Sequence, residues 1–439
     1  MDTLSPGPNF YQRHKIFLKG MIMGFLIIIM IIPTVFVSNL VYERKSRQQE
    51  IVNEVSSKWA GEQTITGPYL YVPYTTVNVT GAGKTEEFIQ HFWILPEVLN
   101  VNGYIDHQLR KRSIYNVLLY NANIKSTGNF IIKIPKDVGP DKIRWSDAQI
   151  CYGISDFRGI QEKLIVNFKG KEYELAPGIP SPSISKKGLS APVELSIADV
   201  NGSIPFGMRT KIKGSENINF LPLSGNSVFL INSSWASPSF NGSTLPDTRN
   251  VSDSGFAAEW KFSKANLPFN TVMKDANAAD LDISFGITLL QPADQYVKTE
   301  RSVKYAILFI GLTFGLFFIV EITQRKPVHP LQYILIGLAL VIFYTLLLSL
   351  SEFIHFDAAY LASSVAVITM ITLYAKQLFG NWKPALTAGS ILTLQYGFIF
   401  ILIRLEDTAL LVGSIGLFIV LGLVMYASRK IDWYGKSAE

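Results

Sequence analysis

The chain has 439 residues, of which 48% are hydrophobic, and carries a formal net charge of +6. This length suggests two or three domains. The positive charge does not indicate nucleic-acid binding, because Lys and Arg gather beside apolar segments and form no basic stripe with interleaved aromatic residues. Cys151 is the single cysteine, which excludes an intramolecular disulfide, so any exported domain must be stabilised by its hydrophobic core.

The N-terminus combines a polar tail, residues 1–15, with an apolar run at residues 16–42. The run is longer than the ~7–15 residues of a secretory signal's apolar core, and no Ala-x-Ala cleavage site follows it. We therefore favour an uncleaved signal anchor, the first transmembrane helix, over a signal peptide. Pro33 lies inside the run and is expected to kink it.

Residues 43–60 are charged and predict a juxtamembrane helix. Ile51, Val55 and Trp59 recur every four residues and form one apolar stripe. We expect the stripe to dock on the following domain. The alternative is that Trp59 lies at the lipid interface.

Residues 61–302 predict a large β-rich domain, because short runs rich in Val, Ile, Tyr and Phe alternate with Gly, Pro, Asn and Asp. This spacing is typical of antiparallel sheets in a sandwich or a related all-β arrangement, with the division into sub-domains left open. The runs cover residues 69–79, 114–124, 130–134, 163–168, 227–231, 256–262 and 281–290.

Residues 303–427 contain five apolar stretches, each close to the ~20 residues that a helix needs to cross a bilayer. None has a Lys, Arg, Asp or Glu in its interior, and the rest of the chain could not cover five such helices. The stretches are residues 305–320, 331–350, 358–374, 385–403 and 408–427. The predicted fold class is a membrane α-helical bundle of six spans plus a large β-rich extracytoplasmic domain.

The short loops predict the orientation of the bundle. Basic loops at residues 324–330 and 376–383 alternate with loops at 351–357 and 404–407 that lack net positive charge, and the tail at 428–439 is again basic. The positive-inside rule places both termini in the cytoplasm and the β-rich domain outside, in a multi-pass membrane protein.

No catalytic or metal-binding motif stands out in the sequence. There is no Gly-x-Ser-x-Gly, no His-Glu-x-x-His and no pair of cysteines, and His91 and His107 are interpreted as surface or sheet residues. We predict no enzyme activity, no catalytic residues, no cofactor and no metal.

Ionisable residues gather at the ends of the spans, where they form a candidate polar cluster at the membrane edge. An intramembrane charge is a functional-site hypothesis, but these residues lie within reach of water and could equally be topology markers or inter-loop ion pairs. Glu321 is on the inner side, and those on the outer side are Glu352, His355, Asp357, Arg404, Glu406 and Asp407.

Aromatic residues mark the most distinctive stretch of the β-rich domain. Trp235, Phe240, Phe256 and Trp260 stand among small residues and are candidate binding residues that would stack on a glycan or a peptide. The alternative is that they close the core of the domain, which is the commoner use of aromatic side chains.

These stretches also carry a resemblance over nearly the whole chain. The strings are Leu95-Pro96 with Arg112-Ser113-Ile114-Tyr115, Ser155-Asp156-Phe157-Arg158-Gly159-Ile160, the Trp235 to Trp260 stretch, Arg301-Ser302-Val303-Lys304-Tyr305, His329-Pro330-Leu331-Gln332-Tyr333, Phe343-Tyr344-Thr345-Leu346, Leu405-Glu406-Asp407-Thr408 and Arg429-Lys430-Ile431-Asp432-Trp433-Tyr434. The chain resembles the CreD family of bacterial inner-membrane cell-envelope integrity proteins. The family pattern leads us to expect Gly at position 113, where this chain has Ser113, a difference that concerns a local turn.

The resemblance implies an inner-membrane protein linked to envelope stress, often under a two-component system, with effects on β-lactam and colicin sensitivity. It implies no catalytic residues. Our hypothesis is that the chain is a non-enzymatic envelope-maintenance protein. Its expected partners are the lipid bilayer and an envelope protein, lipid or glycan, and we expect no binding to nucleic acid. The sequence does not determine the oligomeric state. The alternatives are a lipid or small-molecule transporter acting through the bundle, and an envelope-modifying enzyme.

Overall fold

The computed structural model describes residues 15–79, 85–274, 283–289, 295–324, 326–405 and 408–429. The chain divides into two compact units, Met1–Gln49 with Ala293–Glu439, and Glu50–Pro292. We call the first the membrane unit and the second the β unit. The predicted fold class is confirmed: an N-terminal apolar helix precedes a large β-rich region and a series of C-terminal apolar helices.

The described residues include six helices that are long and apolar enough to cross a membrane. All the described α-helices are α1 (Lys15–Ile29), α2 (Ile31–Trp59), α3 (Gln295–Lys304), α4 (Ala306–Gln324), α5 (Pro330–Ser351), α6 (Phe356–Phe379), α7 (Trp382–Arg404) and α8 (Ala409–Ser428). α1 and α2 together form the first span, α4 to α8 form the other five, and the charged α3 is not a span. The β-rich region was predicted to reach residue 302, but the last described strand ends at Leu289 and α3 begins at Gln295.

The ends of these helices follow from local sequence. α1 ends at Ile29, four residues before Pro33, whose ring displaces the carbonyl four positions earlier in a helix. α5 begins with Pro330 at its first position, and Gln332 accepts a hydrogen bond from the His329 backbone N–H at 2.8 Å. α6 ends at Phe379 and is capped by Gly380, which adopts a φ of 67° that favours glycine.

α5 is the central helix of the membrane unit and packs against α1, α3, α4 and α6. Gly337 lets the junction of α1 and α2 approach closely, because a Cβ there would lie 2.7 Å from Met30 Sδ. Most of the remaining large apolar side chains on these helices are exposed, as hydrocarbon-facing surface requires.

The β unit contains 17 strands within the described residues. They are β1 (Gln63–Val79), β2 (Thr85–Ile94), β3 (Val98–Arg112), β4 (Tyr115–Ile131), β5 (Gln149–Ile154), β6 (Ile165–Phe168), β7 (Lys171–Glu174), β8 (Ala176–Pro177), β9 (Gly188–Pro192), β10 (Ser203–Ser215), β11 (Asn217–Leu221), β12 (Asn226–Ser233), β13 (Pro238–Gly242), β14 (Thr248–Ser252), β15 (Gly255–Phe262), β16 (Val272–Met273) and β17 (Phe285–Leu289).

The strands form two sheets that share one hydrophobic core. A nine-stranded sheet has the order β13-β17-β11-β1-β5-β9-β8, with β2 and β16 beside β1, and an eight-stranded sheet has the order β14-β15-β12-β3-β4-β10-β6-β7. Leu70 and Ile150 of the first sheet meet Val101 and Phe229 of the second in that core. The arrangement is a sandwich, as expected, but β1–β11 and β3–β12 pair in parallel rather than antiparallel.

The nine-stranded sheet is also buried on its second face. Tyr69, Trp93 and Cys151 point there and pack under Ile184 and Leu223 of the connecting segments. Cys151 is therefore a core residue, and burial raises the pKa of its thiol. The eight-stranded sheet differs, since its outward side chains on β3 are mostly exposed, as are Asn123 and Lys125 of β4.

Candidate functional site

The outward face of the eight-stranded sheet is rich in side-chain amides. Alternation along β3 buries Leu99, Val101 and Ile105 and leaves Asn100, Asn102 and Tyr104 exposed. We define the amide face by the outward residues Asn100, Asn102, Tyr104, Asn123, Lys125, Asn167, Arg209 and Asn232, most of which are exposed.

Strand register brings these side chains together from five strands. Asn102 is opposite Lys125, and Tyr104 lies between Asn123 and Asn232. Lys125 is in turn opposite Arg209. Within the described part of the chain, no side-chain hydrogen bond engages Asn100, Asn102, Asn123, Asn167 or Asn232. The amides are thus available to an external hydrogen-bonding group.

A depression of about 570 Å³ lies on this face. Gly207 of β10 lies between Thr127 of β4 and Asn167 of β6. Because glycine has no side chain, the line of outward side chains across these three strands has a gap at Gly207. The lining residues are Lys125, Thr127, Glu162, Lys163, Ile165, Asn167, Glu172, Gly207, Met208 and Arg209.

The four candidate aromatic residues lie in or against the core of the β unit. Trp260 is fully buried, and its indole N–H donates to the Thr244 carbonyl at 3.2 Å. Phe240 is half-buried and packs edge-on against Phe256 and Trp260, with centroids 5.8 and 5.7 Å away. Trp235 donates to the Ser237 carbonyl at 3.1 Å. Their placement matches the core alternative, and a binding role for them stays a prediction.

The candidate cluster at the membrane edge contains two separate sets of contacts. Arg404 forms an ion pair with Asp357, and His355 Nδ1 is 4.0 Å from the same carboxylate. Glu352 instead accepts from the Tyr296 hydroxyl at 3.1 Å and lies 3.8 Å from Arg44. Glu406 and Asp407 are outside the described residues.

Glu321, at the other end of the bundle, is a buried carboxylate with several donors. It forms an ion pair with Lys19 of α1 and accepts from the Val328 N–H at 3.0 Å and the Tyr333 hydroxyl at 2.8 Å. A buried charge with this many partners is satisfied. The contacts tie α1, α4 and α5 together, which favours a structural role.

The histidines of the β unit contact other groups than carboxylates. The His91 ring packs against Tyr71 in a tilted arrangement and against Trp93 edge-to-face, with ring centroids 5.1 Å apart in both cases. His107 Nδ1 is 3.1 Å from Ser234 Oγ, and its ring packs on Trp235. The described residues contain no group of three or more His, Cys, Asp or Glu that could hold a metal ion.

A Ser-x-x-Lys spacing occurs at Ser183 and Lys186, a pattern that supplies nucleophile and base in some hydrolases. Ser183 Oγ is 2.9 Å from Ser181 Oγ in an irregular segment. No hydrogen bond joins Ser183 to Lys186 within the described ranges, so the spacing alone does not indicate catalysis.

Comparison with known proteins agrees with the resemblance. The family described as "Inner membrane protein CreD" matches residues 15–434. The chain belongs to the CreD family. It is 30% identical over 419 residues to "Inner membrane protein CreD" of Escherichia coli (strain K12), covering 94% of this chain and 92% of that protein. CreD membership and six apolar helices together identify a multi-pass inner-membrane protein.

Sequence reasoning missed several residues of this CreD-family chain. Arg44 and Tyr296, the partners of Glu352, were not singled out. The charge of Arg44 next to a predicted span was the one sequence feature that could have indicated this contact. The amide face was also missed. Its signal was present as Asn and Lys alternating with apolar residues along β3 and β4, but register alone shows that the strands are neighbours.

Proposed function

We propose that the chain is a non-enzymatic inner-membrane protein that maintains cell envelope integrity under stress. Its β unit would face the periplasm and bind an envelope component or partner protein, while the membrane unit anchors it. The observation that carries the proposal is the amide face, which five strands build and whose amides have no partner among the described residues.

The distribution of charge supports the proposed orientation. Lys326, Lys376 and Lys383 lie at one end of the C-terminal helices, and Glu352 and Asp357 lie at the other. Under the positive-inside rule the lysine end is cytoplasmic. Both termini would then be cytoplasmic and the β unit periplasmic.

In-cell photo-crosslinking tests the binding role. A photoreactive residue at Tyr104 or Asn123 should capture a discrete adduct, because both positions are exposed on the amide face. The matched control places the photoreactive residue at Lys186, an exposed position of the β unit outside the amide face. Equal yields from the face and control positions would contradict the proposal.

Complementation tests the envelope role. In a strain lacking the protein, a variant that keeps the six spans but lacks residues 61–289 should fail to restore normal β-lactam sensitivity. Immunoblotting of membranes must show normal levels of that variant. Full complementation by it would place the function in the membrane unit.

Transport through the membrane unit is the second candidate function. Thr313 donates a hydrogen bond to Gln395 at 3.3 Å, between the middle portions of α4 and α7. Polar groups at such depth can mark a substrate path. Silent substitutions of Thr313, Gln395, Asp357 and Arg404 in the complementation assay would remove its support.

A further inference from the structure

The depression on the amide face brings two like charges together. Arg209 of β10 and Lys125 of β4 are register partners on adjacent strands, and both side chains are exposed. Like charges directly opposite each other on a sheet repel. Neither Lys125 nor Arg209 forms an ion pair within the described part of the chain, so both charges are available to an external anion.

The neighbouring acidic residues do not neutralise this pair. Glu162 is engaged by Lys211 at 3.0 Å. Glu174 is engaged by Lys163 at 2.9 Å. Glu172 also lines the depression, but it projects from β7 opposite Asn167, at the far side from Lys125. The site therefore has a cationic side and an acidic side.

The gap at Gly207 gives an anionic group room beside the cations. Gly207 directly precedes Met208 and Arg209 on β10, and its neighbours across the sheet are Thr127 and Asn167. A Cβ added at Gly207 would meet only Thr127 Cγ2, at 3.8 Å, so the space above the backbone is open. The Thr127 hydroxyl and the Asn167 amide can donate to a carboxylate in that space.

The surroundings of the gap suit sugar hydroxyls. Asn102 lies opposite Lys125, and Tyr104 is 50% exposed two residues further along β3. Side-chain amides both donate and accept, as hydroxyl groups do, and an exposed tyrosine offers a flat face for a sugar ring. This chemistry favours a glycan over a phospholipid surface, which would need apolar side chains to insert.

We propose that the gap at Gly207 binds a carboxylate of an acidic glycan, with Lys125 and Arg209 as the cations and the neighbouring amides contacting the sugar. This inference rests on the proposed function, because it names the ligand class of the β unit. Since the site is exposed, binding should weaken as ionic strength rises.

Direct binding to the full-length protein in detergent provides the test. The probe is soluble peptidoglycan fragments with free carboxylates, compared with the same fragments after amidation and with inorganic phosphate. Free-acid fragments should bind wild-type protein at least about tenfold more tightly than amidated ones, since hydrogen bonds to a charged group are the strong ones. Phosphate should compete weakly.

Two variants address the site in different ways. Gly207→Val fills the gap and should abolish binding while raising the unfolding temperature, because valine suits a strand better than glycine. The double variant Lys125→Gln and Arg209→Gln should lose at least about tenfold in affinity. The control pair Lys186→Gln and Lys264→Gln removes two exposed charges elsewhere and should bind like wild type.

The outcomes separate this inference from the proposed function. Equal binding by wild type, Gly207→Val and the double variant would overturn the site and leave the envelope role intact. Phosphate binding without fragment binding would overturn the glycan assignment, as would no binding of either probe. The proposed function itself is contradicted by equal cross-linking yields from the face and control positions, or by full complementation from the variant that lacks residues 61–289.

Discussion

Ser113 shows how one residue can be under strain in an otherwise regular element. β3 and β4 form a long hairpin in which Arg112 pairs with Tyr115, leaving Ser113 and Ile114 as a two-residue turn. Ser113 has a φ of 57°, and Ile114 is not among the residues with positive φ. A positive φ at the first turn position is typical of a type II′ turn, where glycine is preferred. The expectation of Gly at this position therefore has a conformational reason.

We predict that Ser113→Gly stabilises the β unit. Relief of the left-handed conformation gains roughly 1–2 kcal/mol, and the added chain entropy of glycine in the unfolded state offsets about half of it. The net gain should be up to about 1 kcal/mol, measured as a higher unfolding temperature. Ile114→Gly is the matched control and should lower that temperature, so a stabilising effect of both substitutions would count against the argument.

Asp156 is a carboxylate with several hydrogen bonds next to the start of β1. It accepts from the Gly61 N–H at 2.9 Å and pairs with Arg158 at 2.6 Å. Its hydrogen bonds from the Arg158 side chain are the main cause that lowers its pKa to about 2, from a usual 3.8. The ionised form is thus favoured in the folded state.

A pH-dependent contribution to stability follows. Because the folded pKa is below the unfolded one, Asp156 should contribute about 1–2 kcal/mol above pH ~4, and the contribution should be lost as pH falls towards ~2. Asp156→Asn should therefore lower the unfolding temperature at pH 6, with a difference from wild type that shrinks near pH 3. The exposed Asp253→Asn is the control. A pH-independent difference for Asp156→Asn would contradict the linkage.

At the scale of elements, the end of α2 is attached to the eight-stranded sheet. Trp59, the last residue of α2, lies under two cations, Arg110 of β3 at 4.1 Å and Lys213 of β10 at 4.3 Å. Arg158 also donates to the Ser57 carbonyl. The apolar stripe was expected to dock on the following domain, and these contacts place Trp59 against that domain rather than free at a lipid interface.

We predict that Trp59→Leu loosens this attachment. Each cation–π contact contributes roughly 0.5–1 kcal/mol at a partly exposed site, so about 1–2 kcal/mol should be lost. Amide hydrogen exchange over residues 50–59 should accelerate. Trp59→Phe should retain part of the protection. Lys58→Ala removes only an exposed pair with Glu54 and should change little. Equal exchange in Trp59→Leu and wild type would show that other contacts hold the helix.

At the scale of the whole molecule, the proposed orientation can be measured with the native cysteine left in place. Cys151 is the only cysteine in the chain. It is buried, and burial raises the pKa of its thiol, so it stays protonated and inaccessible at neutral pH. A cysteine introduced at an exposed position can then be labelled without background.

We predict that a membrane-impermeant maleimide labels Lys186→Cys in spheroplasts and labels Lys383→Cys only after the membrane is permeabilised. Both positions are exposed, the first in the β unit and the second at the start of α7. Labelling after denaturation is the control for protein level. The reverse pattern would invert the topology and place the β unit in the cytoplasm.

Local sequence patterns were enough to predict the class of this protein. Crossing a bilayer requires ~20 consecutive apolar residues, a local property, so the five C-terminal spans were predicted to within a few residues of α4 to α8. The period of two along a half-buried strand is equally local, and it identified β4, β6, β12 and β15. The β-rich region was predicted to end at residue 302, although α3 already begins at Gln295. α3 is charged and has no long apolar run, so the sequence did not mark it as a helix.

The contacts between residues distant in the chain became known from the folded structure. Parallel pairing joins β1 to β11 across some 150 residues, and Glu321 meets Lys19 across 302 positions. The gap at Gly207 exists because β4, β10 and β6 are neighbours in one register. Register depends on the burial of all strands together, and no local period encodes it. The sequence therefore identified a six-span protein with a β domain, and folding placed the amide face on it.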